Sequence, residues 1–328
     1  MSQIIDFHVH VFPDAVGTLA KRIGVGPLTP YISEASVQFL KKQARFWMKP
    51  ITHALHHTQT TLRHLPQTTR RGVDELSGLA PLANLLIESS PQDLIDAMDA
   101  NHVDRAVIIA QPPFSQNEFV LKLCKDFPER FIVAVNLSRS FTEKATPAQS
   151  ADSLKKYVED GAKILKIHTS ADGEKIDSER YEALLETASE LKLPVIIHTG
   201  CIQSSLLYRS PKNGQAENYI SWFKKYPKTR FVLAHMNYHD PGVAIDLAEQ
   251  FENLYLDTSW QPSEIIGEAV RRIGADRILF ATDWPIVGDN MEVGLSRIQD
   301  AVDTGILTEA DSEKILGANA RALLGENA

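Results

Sequence analysis

The side chains in this chain able to do chemistry are mostly histidines. His8 and His10 stand two residues apart in the opening run IIDFHVHVFPD. Further on, His168, His198 and His235 end the apolar runs AKILKIH, LPVIIHT and TRFVLAH, and Asp283 directly follows DRILFAT. Side chains alternate across a β-strand, so Asp6, His8 and His10 are expected on one face and Phe7, Val9 and Val11 on the other. Two imidazoles buried side by side each need a partner. A metal ion is one, and a hydrogen-bonded pair at a strand terminus is the other reading of that spacing. Three imidazole nitrogens and a carboxylate, with room for water, make a catalytic metal site rather than a closed structural one. Zinc is the default ion for such a donor set, and Mn, Co or Fe also suit it. The ion acidifies its water toward neutral pH, and a neighbouring carboxylate or histidine can take the proton.

Those residues need elements to position them. Eight apolar runs read as strands: residues 3–9, 104–110, 130–136, 162–168, 193–199, 229–235, 253–259 and 276–282. Most are near-continuous in apolar residues, as parallel strands buried on both faces are. Between them SADSLKKYVEDGA, DSERYEALLETASELKL and SEIIGEAVRRIGA carry helical spacing, and each ends at or near a small residue or glycine. Eight such alternations predict an α/β fold, a closed (β/α)8 TIM barrel; a doubly wound open sheet is the second choice. No G-x-G-x-x-G follows the first strand to favour a dinucleotide fold. In a barrel, chemistry sits at the C-terminal ends of the strands, and five of the eleven histidines fall there.

The whole chain, 1–328, is read as one domain. About 80 residues separate the first strand from the helix that begins near Pro91, far more than an ordinary connection. Residues from about 13 to 90 are therefore expected to form a mainly helical insertion, broken near Pro50, on the C-terminal face as a lid or dimerisation element. The closing TEADSEKILGANARALLG reads as two short helices.

Composition narrows the function classes. With 34 basic and 42 acidic residues the formal charge is −8, which argues against nucleic acid or an anionic membrane as the main partner. No apolar run reaches membrane-spanning length, and no basic-then-apolar leader pattern precedes the first strand. Cys124 and Cys201 are far apart, so a disulfide framework is not expected and a reducing cytoplasm is the expected setting. A small-molecule substrate is the partner these features leave.

DFHVH, LPVIIHTG, FVLAHM, NLYLDTS, RILFATDWP and KILGANARALLG together resemble the amidohydrolase-related family, the branch containing aminocarboxymuconate-semialdehyde decarboxylase and related decarboxylases, lactonases and hydratases. The resemblance covers both ends and everything from about residue 150, and is weak across the insertion. It implies that His8, His10, His198 and Asp283 bind one divalent ion, with Asp283 also able to act as base. It implies that His235 lies beside the metal-bound water and assists catalysis, and it suggests a homodimer. Lys166 and His168 share a face, so Lys166 could be the carboxylated lysine of two-metal relatives; the resemblance favours one metal.

Other residues carry weaker signals. His168 is either substrate-facing or structural. Arg139 and Arg209 could hold a substrate carboxylate, although an arginine on a loop is more often solvated. Cys201 should border the site. Trp260 and Trp284 either wall the pocket or pack the core. Asp257 either faces the pocket or caps the next helix, and Asp6 is placed deeper than a ligand. Gln111 shapes a loop. His53, His56, His57 and His64 fall in the insertion; His53 and His57 have a helical i, i+4 spacing but no third ligand in view. The residues favour a metal-dependent hydrolase, which needs only the water such a site supplies. The alternative is a non-oxidative decarboxylase using the same groups; a hydratase or a non-catalytic binding protein ranks lower.

Overall fold

A computed structural model describes residues 3–13, 90–112, 114–137, 145–200, 209–286 and 290–326. Residues 14–89 of the expected insertion, with its four histidines, lie outside the described residues, as do Arg139 and Cys201.

Eight parallel strands follow one another around the sheet in chain order. They are β1 (Ile5–Val9), β2 (Arg105–Ile109), β3 (Phe131–Asn136), β4 (Ile164–Ile167), β5 (Val195–His198), β6 (Phe231–Ala234), β7 (Leu254–Asp257) and β8 (Ile278–Leu279). The first and last meet through backbone bonds from Phe7 N to Phe280 O, Asp283 N to His8 O and His10 N to Trp284 O, at 2.7–2.8 Å. The fold is a (β/α)8 barrel, and all eight strands lie where the apolar runs placed them. Among the described residues, no helix is long and apolar enough to cross a membrane.

Alternation along the strands produces two cores. Ile5, Phe7, Val107, Ile109, Ile132, Ala134, Ile164, Ile196, Val232 and Leu279 fill the interior. The opposite-facing residues pack outward against helices such as α1 (Pro91–Ala100), α2 (Asn117–Asp126), α3 (Pro147–Glu159) and α4 (Glu179–Glu190). Ser90 and Thr146 open α1 and α3 with reciprocal capping boxes, which satisfy backbone donors that a helix start otherwise leaves bare. The chain ends in α5 (Glu309–Glu313) and α6 (Asn319–Leu324), as expected, joined by a π-helical turn over Lys314–Ala318. Ala320 and Leu323 of α6 plug the barrel from its N-terminal end. The approach needs Gly317, where a Cβ would lie 1.8 Å from the Gln3 carbonyl oxygen.

One local expectation is corrected. Phe7 belongs to the interior core, whereas Val9 and Val11 belong to the outer core. The pairing register of β1 shifts between Asp6 and Val9, so alternation is interrupted there and β1 does not present one unbroken face.

Candidate active site

The seam between β1 and the segment after β8 places the first groups. Asp6 is buried in that seam: its Oδ1 accepts from the His8 and Thr282 backbone amides at 3.1 Å, and its Oδ2 from Thr282 Oγ1 at 2.5 Å. Burial pushes its carboxyl up to about 7 against the pull of those bonds. Asp6 thus ties the two strand ends together, and the tie sets His8 and His10 beside Asp283.

Hydrogen bonds fix which ring nitrogen faces inward. His8 Nδ1 lies 2.9 Å from Asp257 Oδ2, and His10 Nδ1 lies 3.0 Å from the Ile109 carbonyl oxygen. Carboxylate and carbonyl oxygens only accept, so each Nδ1 donates and each Nε2 keeps its lone pair. Both Nε2 atoms face Asp283 Oδ1, at 3.4 Å from His8 and 3.2 Å from His10. His235 follows the same rule. Its Nδ1 lies 2.7 Å from Ser259 Oγ, and that hydroxyl is 2.5 Å from Asp257 Oδ1. The hydroxyl spends its one proton on the carboxylate, so His235 Nδ1 donates to it. His235 Nε2 is then a lone pair too, buried and without a hydrogen-bond partner among the described residues.

Acceptors converging in this way repel one another unless a cation lies among them. Among the described residues, ligand atoms of His8, His235 and Asp283 lie within 4.8 Å of one another, a spacing one metal ion can bridge. The donor set therefore fits a divalent metal. Ring-centroid distances tie in the remaining histidines: 5.2 Å for His8–His10, 5.0 Å for His8–His235, 5.0 Å for His198–His235 and 3.8 Å for the stacked His168–His198 pair. All five rings and Asp283 form one buried cluster.

Electrostatics favours the forms that bind metal. Burial holds His8, His168, His198 and His235 below the ordinary histidine range. The charge of Lys166, buried on β4, adds to this at each of them. Burial raises the Asp283 carboxyl, but the neighbouring His235, His8 and His10 outweigh it and hold it well below the usual carboxylate range. Neutral imidazoles and an ionised carboxylate are the ligand forms a metal requires.

His235 sits on a strained turn. Four consecutive residues, His235, Met236, Asn237 and Tyr238, have φ between 31° and 61°. Non-glycine residues rarely adopt this left-handed region, and each costs on the order of 1–2 kcal/mol. Neighbours supply the restraint. Thr199 Oγ1 donates to Ala234 O and accepts from Asn237 N, while Gln261 Nε2 donates to the carbonyls of His235 and Tyr238. Gly200 makes the approach feasible: a Cβ there would lie 2.2 Å from the Asn237 carbonyl. The Thr-Gly after His198 is thus the bed on which the His235 turn lies.

The other expected residues fall in varied places. His168 faces the cluster, and its Nδ1 accepts from Ala171 N at the start of a short helical turn. Arg209 is exposed, its aliphatic stem lying over Gly173. Trp284 packs into the outer core and is almost fully buried. Trp260 is the tryptophan that touches the site, donating from Nε1 to Asp283 Oδ2 at 2.8 Å. Asp257 does not cap the following helix, Ser263–Ile273, whose N-cap is Pro262; it holds His8 instead. Sequence reasoning passed over Ser259, Gln261 and Thr199. The one available signal was the i, i+2 spacing of Asp257 and Ser259 at a strand end.

The model of the family described as amidohydrolase matches residues 5–325. The chain belongs to the amidohydrolase family. Among curated proteins, this chain is 33% identical over 111 residues to gamma-resorcylate decarboxylase of Polaromonas sp. (strain JS666 / ATCC BAA-500). That match spans 33% of this chain and 28% of the relative. Two solved structures share the fold of this chain across nearly their whole length. An uncharacterised TIM-barrel protein from Bordetella bronchiseptica superposes with a TM-score of 0.63 at 21% identity, covering 99% of both chains. A dihydroxybenzoic acid decarboxylase from Polaromonas sp. JS666, solved with bound manganese and the inhibitor 2-nitroresorcinol, superposes with a TM-score of 0.63 at 16% identity, covering 100% of this chain and 98% of that one.

Proposed function

We propose that this protein is a metal-dependent, non-oxidative decarboxylase of a small aromatic acid. The observation that carries the metal dependence is the convergence of the His8, His10 and Asp283 acceptors. The choice of carbon–carbon cleavage over hydrolysis is supported by the stretch shared with gamma-resorcylate decarboxylase. The residues alone favoured hydrolysis, since water suffices for it; the relative tips the balance to the alternative.

The resemblance would have His8, His10, His198 and Asp283 hold one divalent ion; the spacing one ion can bridge joins His235 to His8 and Asp283. Manganese is supported by the Polaromonas decarboxylase, and zinc by the donor set alone. When bound, the ion supplies positive charge that draws in an anionic acid and stabilises charge developing on its oxygens. In the reaction the bond from ring carbon to carboxyl carbon breaks, carbon dioxide leaves, and the ring carbon takes a proton. His235 is placed to take up a proton from solvent on Nε2 and pass it to the ring carbon, because Ser259 fixes its Nδ1 and leaves the Nε2 lone pair facing the cluster. Asp283, held strongly acidic, is the poorer donor and the better ligand.

The test is to incubate the manganese-loaded protein with 2,6-dihydroxybenzoate in D2O and follow carbon dioxide release and ring deuteration. A panel of lactones and aryl esters runs in parallel. Carbon dioxide with one ring deuteron per turnover is the expected result. Turnover of lactones or esters, with none of the benzoate or related hydroxybenzoates, would restore the hydrolase reading.

A further inference from the structure

Asp257 is bonded to both halves of the site at once. Its Oδ2 lies 2.9 Å from His8 Nδ1. Its Oδ1 accepts from the His235 backbone amide at 2.8 Å, from Ser259 N at 3.1 Å and from Ser259 Oγ at 2.5 Å. Ser259 Oγ in turn accepts from His235 Nδ1 at 2.7 Å. One carboxylate therefore reaches a histidine on β1 directly and one at the end of β6 through a single hydroxyl. It is 1% exposed, so water does not compete for these bonds.

We propose that Asp257 is a positioning residue that sets the tautomers of His8 and His235 together, through a branched Asp257–Ser259 relay. With Asp257 accepting on both oxygens, both rings carry their proton on Nδ1 and aim the Nε2 lone pair toward Asp283. Remove the acceptor and either ring can hold its proton on Nε2, where it can neither ligate a metal nor accept a proton. His10 is independent of the relay, because its Nδ1 is held by the Ile109 carbonyl. A lone hydrogen-bonded aspartate would be an ordinary core group. The two-armed connection to two functional histidines is what makes Asp257 a control point.

The experiment uses full-length protein with 15N-labelled histidine. Long-range proton–nitrogen spectra report each ring's tautomer, and chelator competition gives the zinc affinity. In the wild type, His8, His10 and His235 should all show Nδ1–H. An Asp257→Asn side chain offers an N–H2 to one of its two arms, so the tautomer of His8 or His235 should change. Zinc affinity should then fall by about 10- to 100-fold, the usual cost of losing such an outer partner. Ser259→Ala should change the His235 tautomer alone. The idea is overturned if wild-type His8 or His235 is protonated on Nε2, or if Ser259→Ala leaves His235 unchanged. It is equally overturned if Asp257→Asn melts earlier yet keeps both tautomers and the zinc affinity, since that is mere packing. Should Asp257→Asn fail to fold, the wild-type and Ser259→Ala spectra decide. The affinity arm rests on the metal site proposed above and the tautomer arm does not, so wild type that holds no zinc but shows the stated tautomers would remove the metal and keep the relay.

Discussion

Trp260 Nε1 donates to Asp283 Oδ2 at 2.8 Å and leaves Oδ1 to His8 and His10, whose Nε2 atoms lie 3.4 and 3.2 Å away. The indole thus does for the carboxylate what Asp257 does for His8: it fixes the group from behind and aims the remaining acceptor inward. Trp260→Phe keeps the ring and removes only that donor. A hydrogen bond to a charged group is worth roughly 1.5–3 kcal/mol, so metal affinity should fall by about 10- to 100-fold. Isothermal titration with manganese checks this; a change within about twofold would mean the bond does not hold Asp283 in place.

The double variant His8→Ala/His10→Ala removes two of the converging acceptors. Elemental analysis should find about one manganese or zinc ion per wild-type chain and next to none in the variant. Adding the ion to wild-type protein should raise its melting temperature, because a ligand that binds only the folded state stabilises it. Two ions per chain would instead draw Lys166 into a binuclear centre.

Gly200 has φ +63°, and a Cβ there would strike the Asn237 backbone at 2.2 Å. Gly200→Ala should cost on the order of 1–3 kcal/mol of stability and displace the turn that carries His235. Activity should fall further than stability alone explains. A control such as Gly305→Ala, at φ +72° with nothing within 4 Å, should lose stability by the backbone effect and keep its activity. Equal behaviour of the two variants would show that the Gly200 contact is unimportant.

Cys124 is a free thiol on the inner face of α2, and burial pushes it up to about 12. The thiolate is the reactive form, so a raised value means protection at any pH where an ordinary cysteine reacts. Peptide mapping after iodoacetamide at pH 8.5 should find Cys124 unlabelled in native protein and fully labelled in guanidinium. The sign for stability follows. Above about pH 8.5 an unfolded chain releases this proton while the folded chain keeps it, so the thiol's contribution weakens as pH climbs toward 12. Rapid native labelling at pH 8.5 would show that the helix opens readily there.

Much of this protein is legible in one dimension. Parallel strands buried on both faces must be apolar throughout, so VIIH, FVLA and AVII announce themselves, and a polar residue ending such a run stands out. The eight strands, the barrel and the gathering of five histidines with Asp283 at one end all follow from that local rule. The fate of Trp260 and Trp284 does not. Each follows a strand closely, yet one indole bonds Asp283 and the other packs away from the site, because the backbone at Trp260 turns to φ +68° and no spacing encodes that reversal. The face change within β1 depends in the same way on its pairing with β2. The Asp257–Ser259–His235 chain joins two strand ends, with His235 and Asp257 22 positions apart and His8 and Asp257 249 positions apart. The sequence by itself determined which side chains could meet at the barrel mouth, since periodicity is a property of neighbours in the chain. Only the tertiary structure decided which nitrogen of each ring faces inward, since a tautomer is set by the partner on its far side, and that partner comes from another strand.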